Sequence, residues 1–98
     1  MFITFEGGEG AGKTTLIEHV ARQLASEGRE VVRTREPGGT PLGEKIRSLV
    51  LEHSGFAISP ITELYLFLAS RAQHVAELIG PALKAGKIVL CIASMTQR

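Results

Sequence analysis

An α/β fold built on a parallel sheet is expected from three features of this 98-residue chain. Short apolar runs alternate with helix-periodic segments in the order strand, helix, strand, helix, helix, strand, which is the pattern of crossover units. A glycine-rich segment, Gly7 to Gly12, sits between the first strand and the first helix. Hydrophobic residues make up 44% of the chain, too many for a disordered polymer.

Phe2 to Glu6 reads as a short buried strand. After the glycine-rich turn, Lys13 opens a helix to about Glu27, with Leu16, Val20 and Leu24 on one face and Ile17 and Ala21 widening it. Gly28 suits the left-handed residue that ends such a helix. A second strand is expected at Glu30 to Thr34. Arg35 to Pro41 should be irregular, since it holds two prolines and a glycine pair. Leu42 to Glu52 reads as a helix facing inward through Ile46, Leu49 and Val50, and His53 to Ser59 as a loop. Ser59 and Pro60 make a cap and first helical residue. The helix from Ile61 to Lys84 should be kinked or interrupted at Gly80-Pro81, because Pro81 lacks an N–H and crowds the preceding turn. Gly86 ends it, and Lys87 to Cys91 is the third strand. Three strands make a small parallel sheet, and such sheets need both faces covered.

The length allows one small domain and excludes a large two-domain enzyme. A net charge of +1 implies no surface for nucleic acid. A single cysteine, Cys91, excludes an internal disulfide and reads as a buried small residue. There is no signal-peptide pattern, and the apolar runs are too short to span a bilayer, so a cytoplasmic location and no membrane partner are expected. All ten acidic residues are Glu, whereas ordinary usage would supply roughly five Asp.

Gly7-Gly8-Glu9-Gly10-Ala11-Gly12-Lys13-Thr14 matches the phosphate-loop pattern G-x-x-x-x-G-K-[ST], with a strand entering and a helix leaving. Glycines let successive backbone N–H groups curl around an anion, and the helix N-terminus adds partial positive charge. Lys13 can reach the β- and γ-phosphates of ATP, Thr14 can hold Mg²⁺, and Thr15 can contact a phosphate farther along. By itself the motif does not separate kinases, GTPases and motor ATPases.

Arg35-Glu36-Pro37-Gly38-Gly39 follows the C-terminal end of the second strand, the edge where ligands bind in parallel sheets. It suits a second anion site or a structural turn about equally. Phe67 and Arg71, at i and i+4, share a helix face and could stack a base and bond its edge. A Phe in so apolar a run is more often core. His74 has no second ligand at metal-binding spacing, and His19 and His53 read as surface residues.

Together these segments resemble bacterial thymidylate kinase. Phe5-Glu6-Gly7, the loop Gly10-Ala11-Gly12-Lys13-Thr14-Thr15, Thr34-Arg35-Glu36-Pro37-Gly38-Gly39, Leu66 to His74, Pro81-Ala82-Leu83 and the strand Lys87 to Cys91 follow the family's order and spacing. The resemblance covers residues 1–91, read as the N-terminal part of a P-loop nucleoside monophosphate kinase fold. It implies transfer of the ATP γ-phosphoryl group to dTMP with Mg²⁺, in a protein that is a homodimer at full length. It assigns Gly7 to Thr15 to ATP, with Lys13, Glu9 and Arg35 catalytic and Thr14 at the metal. Glu9 would lie near the acceptor nucleotide. Arg35 would lie at the dTMP phosphate, with Glu36 and Pro37 in the same substrate segment. Phe67 would stack on thymine, and Arg71 would bond its edge. Ala11 stands where some members carry an Arg.

The family continues after its third strand with Asp-Arg-Phe/Tyr; here Cys91 is followed by Ile92 to Arg98, read as a non-homologous tail. A one-base deletion after a TGT codon can turn Cys-Asp-Arg-Phe-Asn-Asp-Ser-Thr-Ile-Ala into Cys-Ile-Ala-Ser-Met-Thr-Gln-Arg and a stop. A lost reading frame is therefore expected, with little turnover from this chain and an incomplete fold. Sequencing the genomic DNA tests this. Two other readings stay open: a non-catalytic phosphate-binding module, and another nucleoside monophosphate kinase or GTPase.

Overall fold

The computed structural model describes residues 1–6, 11–51, 55 and 57–93, with side chains described from Thr15 onward in the first helix. Its elements are β1 (Phe2–Phe5), α1 (Ala11–Ser26), β2 (Val31–Glu36), α2 (Pro41–Leu51), α3 (Pro60–His74), a π-helical turn (Val75–Ile79), α4 (Gly80–Lys84) and β3 (Ile88–Ala93). The three strands are parallel and lie in the order β1-β3-β2. The last strand therefore inserts between the first two, pairing Phe5 with Ile92 on one side and Glu36 with Ala93 on the other.

Central placement explains the composition of β3. Ile88, Val89, Leu90 and Cys91 are all buried, because a middle strand between two layers has no solvent face. On one side Ile17, Ile88 and Leu90 form the core with Val20, Ala21 and Leu24 of α1 packed against them. On the other side Val89 meets Ile79 and Ala82, from the π turn and α4, with Val32 beside them.

Several element bounds differ from the sequence expectation. The inward stripe of α1 is Ile17, Val20, Ala21 and Leu24, while Leu16 is half exposed. Spacings of three, four and seven from Ile17 describe one helix face, and Leu16 lies a residue off it. Strand β2 runs to Glu36, so Arg35 and Glu36 are extended rather than irregular, and the turn begins at Pro37 after a cis Glu36–Pro37 peptide. Pairing with β3 carries β2 those two extra residues, through Arg35–Ile92 and Glu36–Ala93. The same pairing takes β3 past Cys91 to Ala93.

The helix ends follow local chemistry. Gly28 has φ +81°, Arg29 N–H donates to Leu24 C=O at 3.1 Å and Gly28 N–H to Ala25 C=O at 3.0 Å, a Schellman ending for α1. The Ser59 hydroxyl accepts from Thr62 N–H at 3.2 Å, with Pro60 in the first turn of α3. The interruption expected at Pro81 takes the form of the π turn. Gly80 N–H bonds back five residues to Val75 C=O, widening the helix just where the Pro81 ring would collide with a carbonyl. No helix among the described residues is long and apolar enough to cross a membrane.

Candidate functional site

The C-terminal ends of β2 and β3 face α3, and the side chains that meet there follow from two periodicities. Thr34 and Glu36, two residues apart on β2, share a sheet face. Phe67, Ser70, Arg71 and His74, at spacings of three, four and seven, share a helix face. The two sets interlock. Thr34 Oγ1 lies 2.7 Å from His74 Nε2, and His74 Nδ1 lies 2.8 Å from Glu36 Oε2. Arg71 donates through Nε at 3.1 Å and Nη2 at 2.7 Å to the other carboxylate oxygen, Glu36 Oε1.

Burial grades along this row. His74 is fully buried and Glu36 nearly so, while the Arg71 side chain is 63% exposed. The row thus starts inside the protein and ends at the wall of a cleft of about 180 Å³ lined by Glu36, Pro37, Leu64, Phe67, Leu68, Ser70, Arg71 and Ala93. Its space is below the roughly 300 Å³ at which pockets for drug-sized ligands begin, and it suits one flat ring. Phe67 supplies an aromatic wall and Arg71 a cationic rim.

The turn after β2 is held by side chains. Gly38 N–H donates to Ser70 Oγ at 3.1 Å, Gly39 N–H to Glu44 Oε2 at 3.0 Å, and Arg47 Nη1 to Pro37 C=O at 2.9 Å. Arg35 grips Glu44 with two bonds, Nε to Oε2 at 3.1 Å and Nη2 to Oε1 at 2.6 Å. Arg35 does not line the cleft of Phe67 and Arg71. It borders a shallower concavity with Arg33, Thr40, Pro41 and Glu44, because adjacent residues on a strand point to opposite faces.

The charges are set by these contacts. Burial pushes the Glu36 carboxyl upward, but bonds from Arg71 and His74 outweigh it and leave its pKa below the ordinary value. Glu44 is lowered to about 2, chiefly by its bonds from Arg35, with burial opposing and Gly39 N–H assisting. Burial pushes the Cys91 thiol up to about 12, with the Glu36 charge adding to it. Glu36, His74 and Cys91 offer ligand-type atoms within 4.8 Å of one another. Both Glu36 oxygens are already engaged, Oε1 by Arg71 and Oε2 by His74 Nδ1, so the geometry describes a hydrogen-bonded charge pair.

The acidic-limb pH dependence follows. A carboxylate with a depressed folded pKa stabilises the fold above its unfolded value and loses that contribution as pH falls. Between pH 4.5 and about 2, stability is expected to fall as Glu44 and Glu36 protonate. The Glu44 share is about 1 kcal/mol, because its side chain is 42% exposed and the pair is screened by salt. Urea unfolding across this range checks it, and Glu44→Gln should flatten that part of the curve.

Among the residues expected from sequence, Glu36, Pro37, Phe67 and Arg71 come together in one cleft. Arg35 stands apart in its pair with Glu44. Gly7, Gly8, Glu9 and Gly10 lie outside the described residues, as do the side chains of Ala11, Gly12, Lys13 and Thr14; His53 also lies outside them. Thr15 and His19 are exposed. Thr34, Ser70 and His74 lie within the motif segments, but the sequence reading gives them no role in the site. Helical spacing from Phe67 and Arg71 would have drawn attention to Ser70 and His74.

A protein-family profile described as thymidylate kinase matches residues 5–94. A thymidylate kinase of Chlamydia felis is 58% identical over 91 residues, covering 93% of this chain and 44% of the relative. One of Protochlamydia amoebophila is 60% identical over 91 residues, covering 92% of this chain and 40% of the relative. The crystal structure of thymidylate kinase from Ehrlichia chaffeensis superposes with a TM-score of 0.73 at 43% identity, over 94% of this chain and 52% of that one. The chain thus spans less than half the length of these curated relatives.

Proposed function

The chain belongs to the thymidylate kinase family, and on that premise we propose that it carries, at Phe67 and Arg71, the dTMP cleft of a kinase that transfers the γ-phosphoryl group of ATP to dTMP, giving dTDP, with little turnover expected from these 98 residues alone. The observation that carries this reading is the shared placement of Phe67 and Arg71 in a cleft of single-ring size, with Arg71 held from behind by Glu36. A pyrimidine can stack on Phe67 while the guanidinium donates to its edge. Ser70 and Pro37 border the same space.

ATP is assigned to the loop from Gly7 to Thr15. β1 ends at Phe5 and α1 begins at Ala11, so the loop joins the C-terminal end of a parallel strand to a helix N-terminus. The donor chemistry fits a nucleoside triphosphate: backbone N–H groups, the Lys13 ammonium and the Thr14 hydroxyl. Lys13 would hold the β- and γ-phosphates, and Thr14 would hold Mg²⁺. When bound, the ion offsets charge on those phosphates. Glu9 is assigned to the acceptor side. Arg35 is assigned to the dTMP phosphate end, which requires it to exchange its Glu44 partner for the phosphate. Residues 1–91 form, on this reading, the N-terminal part of a P-loop kinase domain of a cytoplasmic, homodimeric enzyme.

Calorimetric titration of the chain with dTMP tests the proposal. Binding is expected, weaker for dCMP and AMP. Phe67→Ala or Arg71→Ala should each cost about 2 kcal/mol, roughly thirtyfold in Kd, as for one lost base stack or charged bond. Unchanged affinity in both variants would remove the cleft from the proposal.

A further inference from the structure

The Proposed function gives Arg71 the base edge to read, and the following inference rests on that reading. Arg71 is a long, largely exposed side chain, and such groups ordinarily sample many rotamers. Here its Nε and Nη2 are both bound to one oxygen of Glu36. That clamp is only as firm as the carboxylate.

Glu36 is fixed through its second oxygen. His74 Nδ1 reaches Oε2 at 2.8 Å, and since a carboxylate can only accept, Nδ1 carries the proton in that bond. His74 is fixed in turn by Thr34 Oγ1 on Nε2 and by complete burial. One ring therefore bridges two residues that neighbour each other on the same face of β2. Gly39 makes the room: a Cβ there would come within 3.0 Å of His74 Nε2 and Thr34 Oγ1. Each link removes the freedom of the next, and the row opens onto the cleft at Glu36 and Arg71, with Arg71 the exposed end.

We propose that His74 is a positioning residue which, with Thr34, holds the Glu36 carboxylate and through it the Arg71 guanidinium at the base-reading wall of the cleft. His74 touches no ligand. Its effect should be confined to ligands that carry a base and should vanish once Arg71 is gone. A histidine that served only the core would weaken every ligand alike through the fold.

The test is a double-mutant cycle on this chain, titrated with dTMP and with 2-deoxyribose 5-phosphate, which lacks the base. His74→Leu is expected to weaken dTMP about tenfold and Thr34→Val about threefold, with the sugar phosphate unchanged, as for loss of one hydrogen bond acting through a neighbour. His74→Asn, which keeps a donor, should recover part of the loss. In the Arg71→Ala background neither substitution should have any further effect. Equal losses for both ligands, or full additivity with Arg71→Ala, would overturn the proposal. Thr34→Val keeps its shape and keeps the test open should His74→Leu fail to fold. A ligand-free arm separates this inference from the cleft reading. The Arg71 Nε–H proton should exchange slowly with water by NMR and become fast in Thr34→Val. Slow exchange with no dTMP binding would sink only the assignment of the cleft; fast exchange in the parent chain would sink the positioning role.

Discussion

Gly39→Ala is expected to destabilise the chain by about 3 kcal/mol, whereas Gly28→Ala should cost about 1 kcal/mol. The two glycines have nearly the same backbone, φ +83° and +81°. An L side chain at either pays the same left-handed strain of roughly 1–2 kcal/mol. Their surroundings differ. A Cβ at Gly28 meets nothing within 4 Å, but at Gly39 it would press on His74 Nε2, His74 Cδ2 and Thr34 Oγ1. Two of those atoms belong to the fully buried His74 ring and the third is its hydrogen-bond partner, so relief must disturb the Thr34–His74 bond. Losing a buried hydrogen bond adds about 1–3 kcal/mol. Against the roughly 5–15 kcal/mol that keeps a small domain folded, the difference is readily seen by urea unfolding. Equal costs at both positions would show that the space around His74 is looser than described.

Glu36→Leu is the second large effect, at about 3 kcal/mol. The substitution is apolar and removes both carboxylate oxygens. It strands His74 Nδ1–H in the interior, and an unsatisfied buried donor costs about 1–3 kcal/mol. It also releases Arg71, which is mostly exposed and regains water, so that half adds little. Glu36→Gln should cost only about 1 kcal/mol, because the amide can still accept from Arg71 and the imidazole can exchange tautomers to accept from the amide. The ordering Leu worse than Gln, by chemical denaturation at neutral pH, is the diagnostic result. The reverse ordering would mean that the carboxylate is tolerated rather than used.

Much of the chain was readable before any coordinates. Turn and cap residues have local causes, so Gly28, Ser59, Pro60 and Gly86 marked helix ends from neighbouring atoms alone. The phosphate-loop pattern and its flanking strand and helix were likewise local. Phe67 and Arg71 could be paired because a helix sets i and i+4 side by side. Other features have no local signature. Whether Leu16 or Ile17 faces inward depends on where the sheet lies beneath α1. Arg35 and Glu36 are extended because β3 pairs with them, although Pro37 and two glycines follow at once.

The residue types were therefore set by sequence: a phosphate-loop pattern, an aromatic–guanidinium pair and an acidic residue before Pro37. Their order of dependence was decided by tertiary structure. Thr34, Glu36, Arg71 and His74 are separated by up to 40 residues, and no periodicity connects a strand to a helix that follows two elements later. Only insertion of β3 beside β2 and docking of α3 across their ends bring these four together. Hydrogen bonds act over about 3 Å, so a relay between distant segments exists only once the fold has closed that distance.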